Sequence, residues 1–253
     1  MSSAPSYTTV LFDLDHTLLD SHASEALAFE GALRGLGIND PHRHFADYDR
    51  INRALWAAVE LGELLPGRVR TLRFEQLLAL IGLDADPIAL ADEFAAGLGR
   101  HGELYPGAIE VLAALAEHAS LALVTNGLSD VQRQRIDRLG IGQYFDAVII
   151  SAEVGASKPS PAIFDIAFDR LGSPSKNAAL MVGDSLTSDI QGGVNYGIGT
   201  CWYNPQRRVA DPGSRFDHEI DALERLVDVV GTRRRGDSAN ATQTHADPHH
   251  GDE

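Results

Sequence analysis

Two aspartates two positions apart, in Leu11-Phe12-Asp13-Leu14-Asp15-His16-Thr17-Leu18, close a short apolar run. At the end of a strand they point the same way by the period of two, unless the chain turns between them. Like charges this close are costly without a counter-ion, so either a divalent cation such as Mg²⁺ sits with them or one is protonated. Both arrangements serve catalysis, with a nucleophilic carboxylate held by the metal and its neighbour as general acid or base. The plainer alternative is a pair that caps a turn after the strand.

Three further segments carry complementary chemistry. Leu123-Val124-Thr125-Asn126-Gly127 ends a strand with a hydroxyl, an amide and a flexible glycine ahead of a helix, and so offers donors to an anion. By itself this is an ordinary strand-to-helix turn with Ser129 as the cap. In Gly155-Ala156-Ser157-Lys158-Pro159-Ser160-Pro161 a lone lysine is held against two prolines, which positions its ammonium; a solvated surface lysine is the alternative. Met181-Val182-Gly183-Asp184 ends a buried run in glycine and acid, and Asp189 follows five positions later. Asp184 can reach a cation at the strand tip, while Asp189 can coordinate through water, orient its neighbours or simply face a helix N-terminus. Together the four segments supply a nucleophile, metal ligands and a phosphate clamp, each at the end of an expected strand.

The elements that must position these residues follow from periodicity. Short apolar runs at Thr9 to Leu14, Leu121 to Thr125, Ala147 to Ser151, Ala179 to Val182 and Gly199 to Trp202 alternate with amphipathic stretches. That rhythm predicts βαβ units and a parallel sheet, whose carboxyl ends form the ligand crevice. Between about Ser21 and Arg100 the pattern is helical instead: Glu25 to Leu36, Tyr48 to Leu61, Val69 to Ile81 and Ile88 to Leu98. Breaks fall at Asn39-Asp40-Pro41, Pro66-Gly67 and Asp84-Ala85-Asp86-Pro87. The expectation is an α/β, Rossmann-like parallel-sheet core built from residues 1–20 and 101–231, with an all-helical insert over 21–100. The chain returns to the core through Tyr105-Pro106-Gly107, which opens a helix through Ala116. Residues 232–253, with Arg233-Arg234-Arg235, His245, His249 and His250, hold almost no apolar side chains and read as a disordered tail.

The 253 residues carry Lys+Arg 21 against Asp+Glu 36, a formal charge of −15. Such a surface repels phosphate backbones and argues against a nucleic-acid partner. An anionic substrate must then be drawn in by a local metal ion or a few placed cations. The single cysteine, Cys201, excludes an internal disulfide and a zinc framework, and reads as a small buried residue of the last strand. With no apolar leader and no run of about 18 apolar residues, the expectation is a cytoplasmic protein without a membrane partner.

The four segments together resemble the signature of the haloacid dehalogenase superfamily, over about Tyr7 to Val230. The resemblance implies that Asp13 takes the phosphoryl group and that Asp15 protonates the leaving oxygen and then activates water. It implies that Thr125, Asn126, Gly127 and Lys158 hold the phosphoryl oxygens. Mg²⁺ would be bound by Asp13, the backbone carbonyl of Asp15 and Asp184, with Asp189 in support. Dehalogenation is disfavoured, because the family's true dehalogenases lack an acid at the position of Asp15.

A closer likeness lies in Phe12 to Leu18, in Glu60-Leu61-Gly62-Glu63 leading to Arg73-Phe74, and in Gly183 to Gly193 and Thr200 to Pro205. It is similar to the noncanonical pyrimidine 5′-nucleotidases; the phosphoglycolate phosphatase and acylneuraminate-9-phosphatase branches are the nearest competitors. The implied partner is a small phosphorylated metabolite, handled by a monomer or homodimer. The insert corresponds to the family's cap, in which Trp56, Arg68, Arg70, Arg73 and Phe74 could stack on a base or pair with an anion. Aromatics in a helical insert are more often core, and the arginines could be solvated. A phosphosugar mutase and a catalytically weak binding module are the other functional readings.

Overall fold

The computed structural model describes residues 7–231, so the expected tail with its three histidines lies outside the described residues. Apolar β-branched and leucine runs produce six parallel strands: β1 (Thr9–Phe12), β2 (Ser120–Thr125), β3 (Ala147–Ile150), β4 (Ala179–Gly183), β5 (Gly199–Tyr203) and β6 (His218–Ile220). Their spatial order is β3-β2-β1-β4-β5-β6. The connections run to opposite sides from β1, which places the topological switch, and with it the ligand crevice, at the carboxyl ends of β1 and its two neighbours. Phe12 is level with Leu123 and with Val182, and the Asp13 N–H continues the ladder to the Val182 carbonyl at 2.9 Å.

Helices fill the remaining positions: α1 (Ser21–Gly35), α2 (Phe45–Glu60), α3 (Pro66–Ile81), α4 (Pro87–Arg100), α5 (Ala108–Ala116), α6 (Ser129–Leu139), α7 (Ser151–Val154), α8 (Pro161–Arg170), α9 (Gln191–Tyr196) and α10 (Leu226–Val230). Proline opens α3, α4 and α8, where its missing N–H costs nothing. Two apolar clusters line the faces of the sheet, one including Val10, Phe12 and Leu123, the other Leu11, Val124 and Phe164.

The helices from α1 to α4 build a third cluster around Phe29, Tyr48, Phe74 and Phe94, completed by Leu128, just before α6, and Val131 within it. Tyr48 packs its ring 4.8 Å from Phe29 and 5.3 Å from Phe94. Phe74 is fully buried there, and the half-buried Trp56 packs against the same cluster, so both contribute packing. Arg73 is also buried, with its guanidinium 4.9 Å over the Phe94 ring and 3.1 Å from Asn52 Oδ1. The reading of Arg73 as a solvated arginine is therefore corrected, while Arg68 is exposed.

Two strand ends and one additional strand depart from expectation for local reasons. β1 stops at Phe12 because the Leu14 carbonyl accepts from the N–H groups of Leu18 and Leu19, at 3.0 and 2.9 Å, and turns the chain. Ser151 opens α7 and does not extend β3. β6 has only three residues, His218-Glu219-Ile220, and only Ile220 is buried, so it presents no apolar run to read. Cys201 is buried in β5, as expected, with its thiol pushed up to about 12 by burial. Among the described residues no helix is long and apolar enough to cross a membrane.

Candidate active site

The turn after β1 separates the two aspartates that the strand period would have aligned. Asp13 stays over the sheet, 7% exposed, and its Oδ1 accepts from Lys158 Nζ at 2.6 Å. Its Oδ2 faces the Thr17 hydroxyl at 3.3 Å; Thr17 Oγ1 in turn accepts from the Asp184 N–H at 3.1 Å, so one hydroxyl ties the β1 and β4 tips together. Asp15 swings towards α6 and accepts from Gln132 Nε2 at 2.6 Å, from Arg135 Nη1 at 2.7 Å and from Ser21 Oγ. Burial alone would raise the Asp15 carboxyl. The Arg135 guanidinium and the hydrogen bonds from Ser21 and Gln132 act against burial together, and hold Asp15 below the usual carboxylate range.

Lys158 is 1% exposed, and its ammonium has three partners: Asp13 at 2.6 Å, Asp189 at 2.7 Å and the Val124 carbonyl at 2.6 Å. Burial works against its charge, but the two carboxylates outweigh it and raise its pKa. Asn126 explains how the lysine is aimed, since its side-chain amide bonds both the N–H and the carbonyl of Lys158 at 2.9 Å. That amide is thus engaged in positioning, and the Gly127 N–H donates to Ser151 Oγ at 3.0 Å. Thr125 is fully buried and its Oγ1 accepts from Gln132 Nε2 at 2.9 Å, which leaves the hydroxyl proton to donate onward. Ser129 is not the cap of α6: Leu128 holds that position, and the Ser129 hydroxyl donates to Glu153 at 2.7 Å.

Asp189 lies in a π-helical turn, Leu186–Ile190, and not in a regular first helical turn. Its Oδ2 accepts from the Ser185 N–H at 3.0 Å. Its Oδ1 makes the ion pair with Lys158 without hydrogen-bond geometry, and so keeps unused acceptor capacity in a buried place. Oxygens of Asp13, Asp184 and Asp189 lie within 4.8 Å of one another. Burial raises Asp13 well above the usual range against the pull of Lys158, and burial, then Asp189, pushes Asp184 up to about 6. Three hard oxygen donors with more negative charge than one ammonium can neutralise fit a divalent cation. Asp15 stands outside this trio among the described residues.

Residues to which the sequence reading gave no site role complete the site. Gln132 and Arg135 hold Asp15 from α6. Two carboxylates enter from the helical block. Glu60, at the end of α2, meets the Thr187 hydroxyl with Asp189 and Lys158 as neighbouring charges. Glu25 accepts from Asn52 Nδ2 at 3.3 Å and lies among Arg73, His16 and Asp15. The block's Arg70 is committed to Asp92 at 2.8 Å and to Asp130 of α6 at 2.7 Å.

The family model for haloacid dehalogenase-like hydrolases matches residues 7–197, which span every residue of this site. The chain belongs to that family. Among characterised relatives it is 34% identical over 225 residues to the pyrimidine 5′-nucleotidase PynA of Streptococcus pneumoniae, covering 88% of this chain and 95% of PynA. It is 32% identical over 221 residues to the pyrimidine 5′-nucleotidase YjjG of Escherichia coli, covering 87% of this chain and 96% of YjjG. A magnesium-bound crystal structure of the HAD-hydrolase YfnB from Bacillus subtilis superposes with a TM-score of 0.82 at 34% identity, covering 89% of this chain and 99% of YfnB. The expected fold, a parallel sheet with a helical block in the family's arrangement, is therefore the observed one.

Proposed function

We propose that this family member is a Mg²⁺-dependent phosphomonoesterase that hydrolyses pyrimidine nucleoside 5′-monophosphates through an aspartyl-phosphate on Asp13. The observation that carries the reading is the pairing of Asp13 with a buried ammonium beside two more carboxylates at a strand tip. Asp13 Oδ2 attacks the phosphorus while Lys158 and the Thr125 hydroxyl receive charge on the phosphoryl oxygens. Asp13, Asp184 and Asp189 would hold the cation, which when bound neutralises negative charge so that an anionic ester can approach three acids. Asp15, with three donors on it, fits the water-activating half of the cycle as it stands. To protonate the leaving oxygen it must first take a proton, and its side chain, 27% exposed, is open to solvent for that.

The charge of the helical block supports a substrate whose leaving group is neutral. It brings Glu25 and Glu60 towards the chamber, while Arg70 and Arg73 are committed elsewhere. A second carboxylate or phosphate on the substrate would face Glu25 and Glu60 there, with Arg70 and Arg73 already engaged. This disfavours phosphoglycolate, acylneuraminate 9-phosphate and the bisphosphates a mutase needs, and leaves nucleosides, whose base and sugar offer hydrogen-bond donors. The names of PynA and YjjG point the same way. A cytoplasmic monomer or homodimer belongs to the same proposal.

The test is inorganic phosphate release from nucleoside 5′-monophosphates, sugar phosphates, phosphoglycolate, acylneuraminate 9-phosphate and a sugar bisphosphate, with Mg²⁺ and with chelator. Release led by pyrimidine nucleotides and abolished by chelator is expected. A lead by phosphoglycolate or a bisphosphate would overturn the substrate class, and chelator-insensitive release would overturn the metal requirement.

A further inference from the structure

Arg135 lies in no strand-tip motif, yet it is 3% exposed and uses every edge of its guanidinium. Nη1 donates to Asp15 Oδ1 at 2.7 Å and to Gln132 Oε1 at 3.2 Å. Nη2 donates to Ser24 Oγ at 2.9 Å, and Nε donates to the Leu98 carbonyl at 3.2 Å. Ser24 lies in the second turn of α1 and Leu98 in the last turn of α4, next to the two points where the chain enters and leaves the helical block. The Ser24 hydroxyl donates to the Ser21 carbonyl at 2.9 Å, and the Ser21 hydroxyl returns to Asp15, which closes a ring of contacts.

We infer that Arg135 is the positioning residue for Asp15, and that it makes the placement of this carboxylate depend on how the helical block is seated at both crossings. The inference rests on the phosphomonoesterase reading. A planar guanidinium can meet four differently placed acceptors at once, whereas an ammonium acts as a point charge. With only donors around it, Asp15 acts as an acceptor in the second half of the reaction. A water proton passes to Asp15 as the water oxygen bonds to phosphorus; the bond from phosphorus to the Asp13 carboxylate oxygen breaks, freeing that carboxylate and inorganic phosphate. Arg135 touches none of the reacting atoms, so its loss should slow this step, and spare the first wherever the leaving oxygen needs no proton.

p-Nitrophenyl phosphate separates the steps, because its leaving group needs no proton and kcat/KM reports only transfer to Asp13. In Arg135→Lys, kcat should fall on the order of 10²-fold, as for loss of a placed general base. KM should fall in step, and acid quench should trap nearly stoichiometric phosphoenzyme. Ser24→Ala removes one acceptor of Arg135 and should show the same pattern more weakly; it also serves if Arg135→Lys does not fold. Parallel losses of kcat and kcat/KM without trapped phosphoenzyme, or unchanged kcat in both variants, would overturn the inference alone. If the unaltered enzyme releases no phosphate from either this ester or the nucleotides, the phosphomonoesterase reading falls and the inference falls with it.

Discussion

Lys158 shows how unequal the partners of a buried charge pair are. Its ammonium is shared by Asp13 and Asp189, and all three side chains are almost fully buried. Removing one anion leaves the cation paired with the other, whereas removing the cation leaves two carboxylates buried with no counter-charge. Asp13→Asn should therefore abolish phosphate release with little change in melting temperature. Lys158→Met should lose activity and also about 3–5 kcal/mol of stability, the cost of stranding a buried charge. Thermal melts of both metal-free variants check the contrast; equal melting temperatures would mean that Lys158 contributes charge to the reaction but little to the fold.

At the level of elements, what the sequence discloses depends on whether a residue's neighbours in the chain are also its neighbours in space. The strand tips were legible because Asp13, Thr125 and Asp184 each end an apolar run, and a parallel sheet brings such ends together. The grip on Asp15 was not, because α6 reads as a polar helix with a few apolar positions. A signal was present all the same: Gln132 and Arg135 share a stripe with Leu128, Val131 and Ile136, all buried, so two polar residues sit where a core face should be. The direction of the Asp15 side chain depended on the turn at Leu14, which local spacing leaves open. Phe74 and Arg73 posed the opposite difficulty, since an aromatic stripe that packs and one that binds a base have the same period. The Asp189 turn depends on a missing side chain: a Cβ on Gly183 would lie 2.2 Å from Asp189 Oδ2. Gly183→Ala should displace that carboxylate and raise the Mg²⁺ concentration for half-maximal activity by about tenfold, in the range of changes next to metal ligands. An unchanged Mg²⁺ requirement would show that Asp189 can move without cost.

For the molecule as a whole, with a net charge of −15 and a site built around three carboxylates, a cation bound as proposed would add to the stability as well as to the chemistry. A ligand that binds only the folded state at a hundredfold excess over its Kd adds about 2.7 kcal/mol. In a chain of this size that raises the melting temperature by roughly 5–10 °C. The same ionic strength supplied as a monovalent salt should produce much less, because it screens the surface but cannot bridge buried oxygens. The pH dependence follows from Asp184, pushed up to about 6 by burial and then by Asp189. A carboxyl whose folded pKa is raised binds its proton more tightly in the folded state, so this group costs the metal-free protein stability at pH 7 and the cost fades as pH falls through 6 towards 4. The proton and Mg²⁺ compete for the same oxygens, so the increment in melting temperature from Mg²⁺ should be larger at pH 7.5 than at pH 5.5. Melts with and without chelator at the two pH values decide it: an increment independent of pH, or one matched by monovalent salt, would place the bound cation away from Asp184.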